Sequence, residues 1–197
     1  RSVPIMYLPK VEGEVERITA PIRRAQIGQQ GDLGFGLETE WYLFRVLGLV
    51  SPEGFSGRLE ADVYEKGWLG GVSLDYAREN FSGYWMAYGL VDNEQSDDFG
   101  DLREDVQAPP SRGRLLARHK HLLPKDWELQ LELSYLCDRN FLEKFHRAEF
   151  HAGKEQETLA YLKKQEDTWA ASALVKYRMN RFQTQTEAWP ELSYFRI

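Results

Sequence analysis

Cysteine occurs once in the 197 residues, at Cys137, so the chain cannot form an internal disulfide and lacks the paired spacing of a zinc site. Thiol chemistry is disfavoured for the same reason. No apolar run approaches the eighteen residues that a membrane-spanning helix requires, and no stretch has the layout of a signal peptide. Basic charge is in deficit: 25 Lys and Arg stand against 31 Asp and Glu, for a net charge of -6 and a pI near 5.4. Nucleic-acid binding, which normally needs a basic stripe, is not expected. The chain opens on Arg1 rather than Met, which suggests a processed product or an excised segment. These absences leave soluble folds and one kind of membrane fold. Strands of a membrane β-barrel alternate polar and apolar residues, so the mean hydropathy of -0.56 is compatible with both.

Alternation is what the chain has in abundance. In "WELQLELSYL", Trp127, Leu129, Leu131, Leu133 and Tyr135 fall on one face, and Glu128, Gln130, Glu132 and Ser134 on the other. "FSGRLEADVYEKG" and "LGGVSLDYA" alternate likewise on either side of a glycine break at Gly67. Glu79-Asn80 reads as a hairpin tip before "FSGYWMAYGLV". "RRAQIGQQ" and "FGLETEWYLFRVL" pair about "GDLG", although Tyr42 to Val46 is too apolar to alternate cleanly. Residues 92–111 are acidic and aperiodic, as in a long solvated loop. "RGRLLARHKHLL", a tight turn at Pro124-Lys125-Asp126 and the quoted strand follow. "DRNFLEKFHRAEFHAG" predicts one short helix capped by Asp138 or Asn140 and stopped by Gly153. "ETLAYLKKQ", "WAASALVKYRMN", "FQTQTEAW" and "PELSYFRI" complete roughly nine or ten strands. The expected fold class is all-β, an antiparallel meander with one short helix.

The faces carry the functional question. Trp169, Ala171, Ala173, Val175 and Tyr177 share one face; Ser172, Lys176 and Arg178 share the other, with Leu174 an exception. In this strand, as in 127–136, a Trp and a Tyr stand eight residues apart with only aliphatic residues between them on that face. Eight residues at about 3.3 Å span roughly 26 Å, or about 20 Å of height at a tilt near 40°. That approaches the ~25 Å apolar band, bordered by aromatic girdles, of a membrane barrel. The girdle residues would be Trp127, Tyr135, Trp169 and Tyr177, and the lumen-facing ones Glu128, Gln130, Glu132, Ser172, Lys176 and Arg178. A soluble β-sandwich binding module, its apolar faces meeting inside, gives the same pattern and stays open on these grounds.

The stretch "CDRNFLEKFHRAEFHAGKEQETLAYLKKQEDTWAASALVKYRMNRFQTQTEAWPEL" resembles the barrel domain of the LptD family, the lipopolysaccharide-assembly or organic solvent tolerance proteins. The motifs are Asp138, Asn140 to Leu142, Gln156 to Thr158, Asp167 to Trp169 and Phe182 to Leu192. "VPIMYLPK" resembles the end of that family's periplasmic jellyroll, while the middle, with "YEKGW" and His119, fits more loosely. The resemblance implies that residues 1–20 end a jellyroll and connect it to the barrel, whose first strands occupy 21–197. It implies an outer-membrane barrel that inserts lipopolysaccharide into the outer leaflet and opens laterally between its first and last strands. The partners it implies are lipopolysaccharide, outer-membrane lipid, an LptE-like lipoprotein and an LptA-like bridge protein. The family's barrel has more strands than this chain can encode, so an open curved sheet is expected here. A lateral-gate strand would carry Pro21, Gly28 and Gly31, helped by Gly34 and Gly36, since proline and glycine both weaken strand pairing.

Chemistry of other kinds finds no support. His119 and His121 share a strand face but have no third ligand nearby, so they read as polar wall residues and not as a metal site. Asp97, Asp98, Asp101, Glu104 and Asp105 miss the EF-hand spacing and read as a solvated loop. With no nucleophile–base pair and no phosphate-binding glycine loop, neither an enzyme nor a cofactor is expected.

Overall fold

The computed structural model describes residues 20–30, 33–93, 95–97, 106–153 and 155–196. The chain is an all-β antiparallel meander. Ten strands form one open sheet: β1 (Ile22–Gln30), β2 (Gly34–Tyr42), β3 (Phe55–Tyr64), β4 (Gly67–Ala77), β5 (Phe81–Asp92), β8 (Ser111–Leu123), β9 (Trp127–Leu136), β10 (Thr158–Glu166), β11 (Trp169–Tyr177) and β12 (Ala188–Arg196). Each pairs with its sequence neighbour, and a two-stranded ribbon of β6 (Ser96–Asp97) and β7 (Val106–Gln107) is inserted between β5 and β8. The segment "VPIMYLPK" and Gly31 lie outside the described residues.

Several expectations need adjustment. The strand after "GDLG" stops at Tyr42, where the run of large apolar residues becomes a four-residue helix, α1 (Leu43–Val46). The single predicted helix is two, α2 (Phe141–Phe145) and α3 (Arg147–Ala152), broken at His146, whose φ and ψ of -133° and 52° are not helical. Asn140 occupies the cap position of α2 without a side-chain cap bond, while the Asp138 carboxylate accepts the Asn140 N–H at 2.9 Å. Gly153, at φ 68°, ends α3 as predicted. Residues 182–187 are not a strand. β12 instead runs through Pro190, tolerated because its register with β11 shifts there and because it is an edge strand within this sheet.

The meander's two ends differ. At one, β4–β5, β8–β9 and β10–β11 turn within two or three residues; the 124–126 turn bends through Lys125 and Asp126 at φ 64° and 62°. At the other lie the long connections 93–110, 137–157 and 178–187.

The apolar core is small and off-centre. Leu33, Tyr64, Leu69, Leu90, Leu136, Phe141 and Leu142 make one buried cluster, which joins the long-loop end of the sheet to α2. Elsewhere large apolar residues are exposed: twenty are, against nine buried hydrophobic residues among those described. No second sheet covers them among the described residues.

A close approach on β2 ties its pairing to a polar contact. A Cβ at Gly36 would come 2.3 Å from the Tyr64 ring, and that tyrosine donates its O–H to Glu38 at 3.0 Å. Gly36→Val should displace the ring, break the bond to Glu38 and cost about 1–3 kcal/mol, the range for overpacking. A fall in the urea midpoint, larger than that of Gly36→Ala, is the expected readout.

Candidate functional site: the polar face and its loop cap

The pairing register sorts every strand onto two continuous faces. Asp75 pairs with Tyr84, Tyr84 with Arg118, Arg118 with Glu132, Glu132 with Leu159 and Leu159 with Lys176. Directly paired residues point the same way, so this row defines a polar face across six strands. Ion pairs cross it: Arg58 to Asp75 at 3.3 Å, Arg118 to Glu132 at 3.3 Å, and Glu128 between Lys120 at 3.2 Å and Lys163 at 3.6 Å. Near β1, Gln26 donates to Glu38 at 2.7 Å and Arg23 to Glu40 at 2.6 Å. The polar face bounds a trough of about 980 Å³, lined by Asp75, Tyr84, Arg118, Lys120, Gln130 and Glu132 among others.

Of the residues expected to face a lumen, Glu128, Gln130, Glu132, Ser172 and Lys176 share this polar face. Arg178 lies past the end of β11, exposed, its backbone N–H bonded to Glu187. Leu174 shares the polar face, opposite Tyr161 and Glu191. Gly28 pairs with Gly36, and a Cβ on it would meet the Glu38 carboxylate. Pro21 precedes β1, and its carbonyl accepts the Tyr42 N–H at 2.8 Å.

The opposite face is apolar and open. Trp41 pairs with Leu59, Leu59 with Val72, Val72 with Ala87, Ala87 with Leu115 and Leu115 with Tyr135. Trp127, Tyr135, Trp169 and Tyr177 all belong to it. So does a pair missed in the sequence, Trp68 and Tyr76 of β4, again eight residues apart with Gly70, Val72 and Leu74 between them. Starting that strand at Leu69 had hidden it. His119 and His121 also sit on this face, which corrects their assignment as polar wall residues: His119 pairs with Leu131 and His121 with Leu129. They are accommodated by an aromatic cluster at the short-turn rim, where the Tyr76 hydroxyl and His119 Nδ1 are 2.8 Å apart and Phe81 lies within 6.2 Å of both imidazoles.

A loop cap closes the long-loop end of the polar face. Arg112, its side chain fully buried, forks onto Asp97 at 2.6 and 3.1 Å and onto Asp138 at 2.8 and 2.9 Å. Arg114 makes two bonds to Glu149 of α3 at 2.5 and 2.7 Å. Gln156 accepts from Ser134 Oγ at 2.8 Å and donates to Glu149 at 3.1 Å. Asn180 accepts the Leu136 N–H at 2.8 Å and donates to the Ser134 carbonyl at 3.0 Å. Asp97 therefore departs from the expected solvated loop: it is buried as the counter-ion of Arg112, whereas Asp98, Asp101, Glu104 and Asp105 lie outside the described residues. No cluster of three metal-ligating side chains occurs among the described residues.

These partners set the ionisation of the cap. Burial raises the Asp138 carboxyl, but the Arg112 and Cys137 hydrogen bonds outweigh it and hold it below the usual carboxylate range. The Cys137 thiol, buried and bonded to Asp138, is pushed up to about 11. Glu149 also ends low, because Arg114 outweighs its burial. Burial first, and Arg114 second, depress His146 and keep it neutral.

Neither the scan against protein-family models nor the search of curated proteins finds a match to this chain.

Two outcomes test the cap. Arg112→Ala leaves Asp97 buried without its counter-ion and should cost roughly 3–5 kcal/mol, read as a lowered urea midpoint; Asp97→Ala with Arg112→Met should recover part of it. The second concerns acid. Asp138 and Glu149 have folded pKa values below the unfolded ones, so their pairs add stability above about pH 4 and lose it as pH falls through the folded values. Pepsin should begin to cut within 137–157 only below about pH 4, while the strands stay intact.

Proposed function

We propose that this chain is the first part of an outer-membrane β-barrel of the LptD type, which carries lipopolysaccharide to the outer leaflet. The observation that carries the membrane reading is the inverted polarity of the sheet. Cross-strand ion pairs occupy one face, while the other, bare face presents apolar residues between Trp and Tyr on β4, β9 and β11. Trp and Tyr favour membrane borders because their rings are apolar while the N–H or O–H needs a wet partner. The alternative, a soluble sandwich, would need a second layer over the apolar face. The short turns would lie on the periplasmic side and the long, capped connections outside, the usual arrangement of such barrels.

The lipopolysaccharide assignment rests on the resemblance, and its motif residues have structural work in common. Asp138, Phe141, Leu142, Gln156 and Thr158 all belong to the loop cap or its apolar cluster. In this reading the sugar travels along the polar face, and the acyl chains leave sideways at the edge of β1. An LptE-like lipoprotein would occupy the wide interior and an LptA-like protein would deliver the substrate. A photo-crosslinker replacing Glu132 should capture lipopolysaccharide in cells, and capture of none there or at Lys176 would remove the substrate assignment.

Membrane placement is tested separately. Spin labels at Leu131 and Ala173 in bilayers should respond to oxygen dissolved in lipid, and labels at Glu132 and Lys176 to an aqueous nickel chelate. The reverse pattern would invert the barrel. Ala173→Arg should cost roughly 2–4 kcal/mol if the position lies near the bilayer midplane.

A further inference from the structure

The connection between β2 and β3 is unlike the other turns at its end of the sheet. Residues 78–80, 124–126 and 167–168 are short and each turn carries charge, whereas 43–54 has twelve residues and none charged from Val46 to Pro52. Four apolar side chains stand bare on it: Val46 is 44% exposed, Leu47 and Leu49 58%, and Val50 93%. A turn facing only water gains nothing from such residues.

Its position is fixed from the other side. A Cβ built on Gly57 would lie 2.8 Å from Leu43 Cδ2 and 2.9 Å from Leu43 Cβ, so α1 is seated directly on β3 at Gly57. Gly57 belongs to the apolar face, between Phe55 and Leu59, opposite Leu74. Beside it Phe55 stacks on Tyr76 with ring centroids 5.5 Å apart, and the Arg78 guanidinium lies 6.0 Å from the Phe55 ring while pairing with the exposed Glu53. The bare segment thus continues the apolar face at its short-turn rim, next to rings with polar handles and a cation.

We propose that residues 43–50 form a lipid-binding foot, which dips Val46, Leu47, Leu49 and Val50 into the headgroup–acyl boundary of the leaflet at the short-turn end. The occupant is phospholipid. Apolar side chains beside an aromatic rim and an arginine at phosphate depth are the make-up of an interfacial anchor. The foot rests on the barrel reading, and sits beside β2, one strand in from the β1 edge.

The test uses the environment-sensitive fluorophore NBD on single added cysteines, Val50→Cys, Thr168→Cys and Ala173→Cys, with the protein in phosphatidylethanolamine–phosphatidylglycerol vesicles. Labelling near neutral pH spares Cys137, whose thiol is pushed up to about 11, and the chain without an added cysteine gives the background. The label at 50 should be blue-shifted, quenched by lipids spin-labelled high on the acyl chain and spared by iodide. The label at 168 should be quenched by iodide, and that at 173 by lipids labelled deep in the chain. Iodide quenching at 50 with lipid quenching at 173 would overturn the foot and leave the barrel. A label at 50 reached by neither quencher would mean that protein covers the segment, which also overturns it. Iodide quenching at 173 would remove the barrel reading and the foot with it, whatever the label at 50 reports.

Discussion

Side chains reverse direction at each residue of a strand, and this structure depends on ten strands obeying that rule in one linked register. A slip of one residue anywhere would turn a whole strand inside out. Between β8 and β9 it would take Arg118 from Glu132 and set it among leucines. The cross-strand ion pairs are individually modest, since exposed pairs contribute little. Their weight lies in discrimination, because each wrong register strands charges on the apolar face.

The loop cap solves a different problem. Loops that fold back over a sheet bring backbone and charged groups out of water, which is costly unless each finds a partner. Arg112 satisfies two carboxylates at once, and Asn180 takes one N–H and returns one to the strand beside it. The small apolar cluster around Phe141 then needs only to exclude water from bonds already made. A wholly apolar cap would lack this directional fit to β8 and β9.

Much of this was legible in the amino-acid order, for definite reasons. Alternation, strict in 127–136 and interrupted in 169–177 at Ala170 and Leu174, revealed both strands and both faces, and Glu79-Asn80 and Pro124–Asp126 marked turns through local chemistry. Where large apolar residues run together, as from Tyr42 to Val46, periodicity carries no information and the change from strand to helix went unseen. Asp97 was illegible because its surroundings are acidic and its partner Arg112 is fifteen positions away. The histidines of β8 were misplaced because residue type was weighed above position: their alternation with Leu115 and Ala117 puts them on the apolar face. The third Trp–Tyr pair was lost to a strand boundary set two residues late.

The order of strands in the sheet is the order of strands in the chain, broken only by one small ribbon. Strands joined by a short turn lose little loop entropy before they pair. Here each new strand needs only the one before it as a template. The cap contacts reach as far along the chain as the longest strand pairings do: Leu136 meets Asn180 across 44 positions and Arg114 meets Glu149 across 35, while Phe81 pairs with His121 across 40. Asn180 follows β11 in the chain, so its bonds to β9 require β10 and β11 to be in place, whereas the partners of Arg112 and Arg114 all precede β10. Asn180 can reach Leu136 and Ser134 only where the pairings between β9 and β11 are in register, so closure of this end serves as a check on the growth of the sheet.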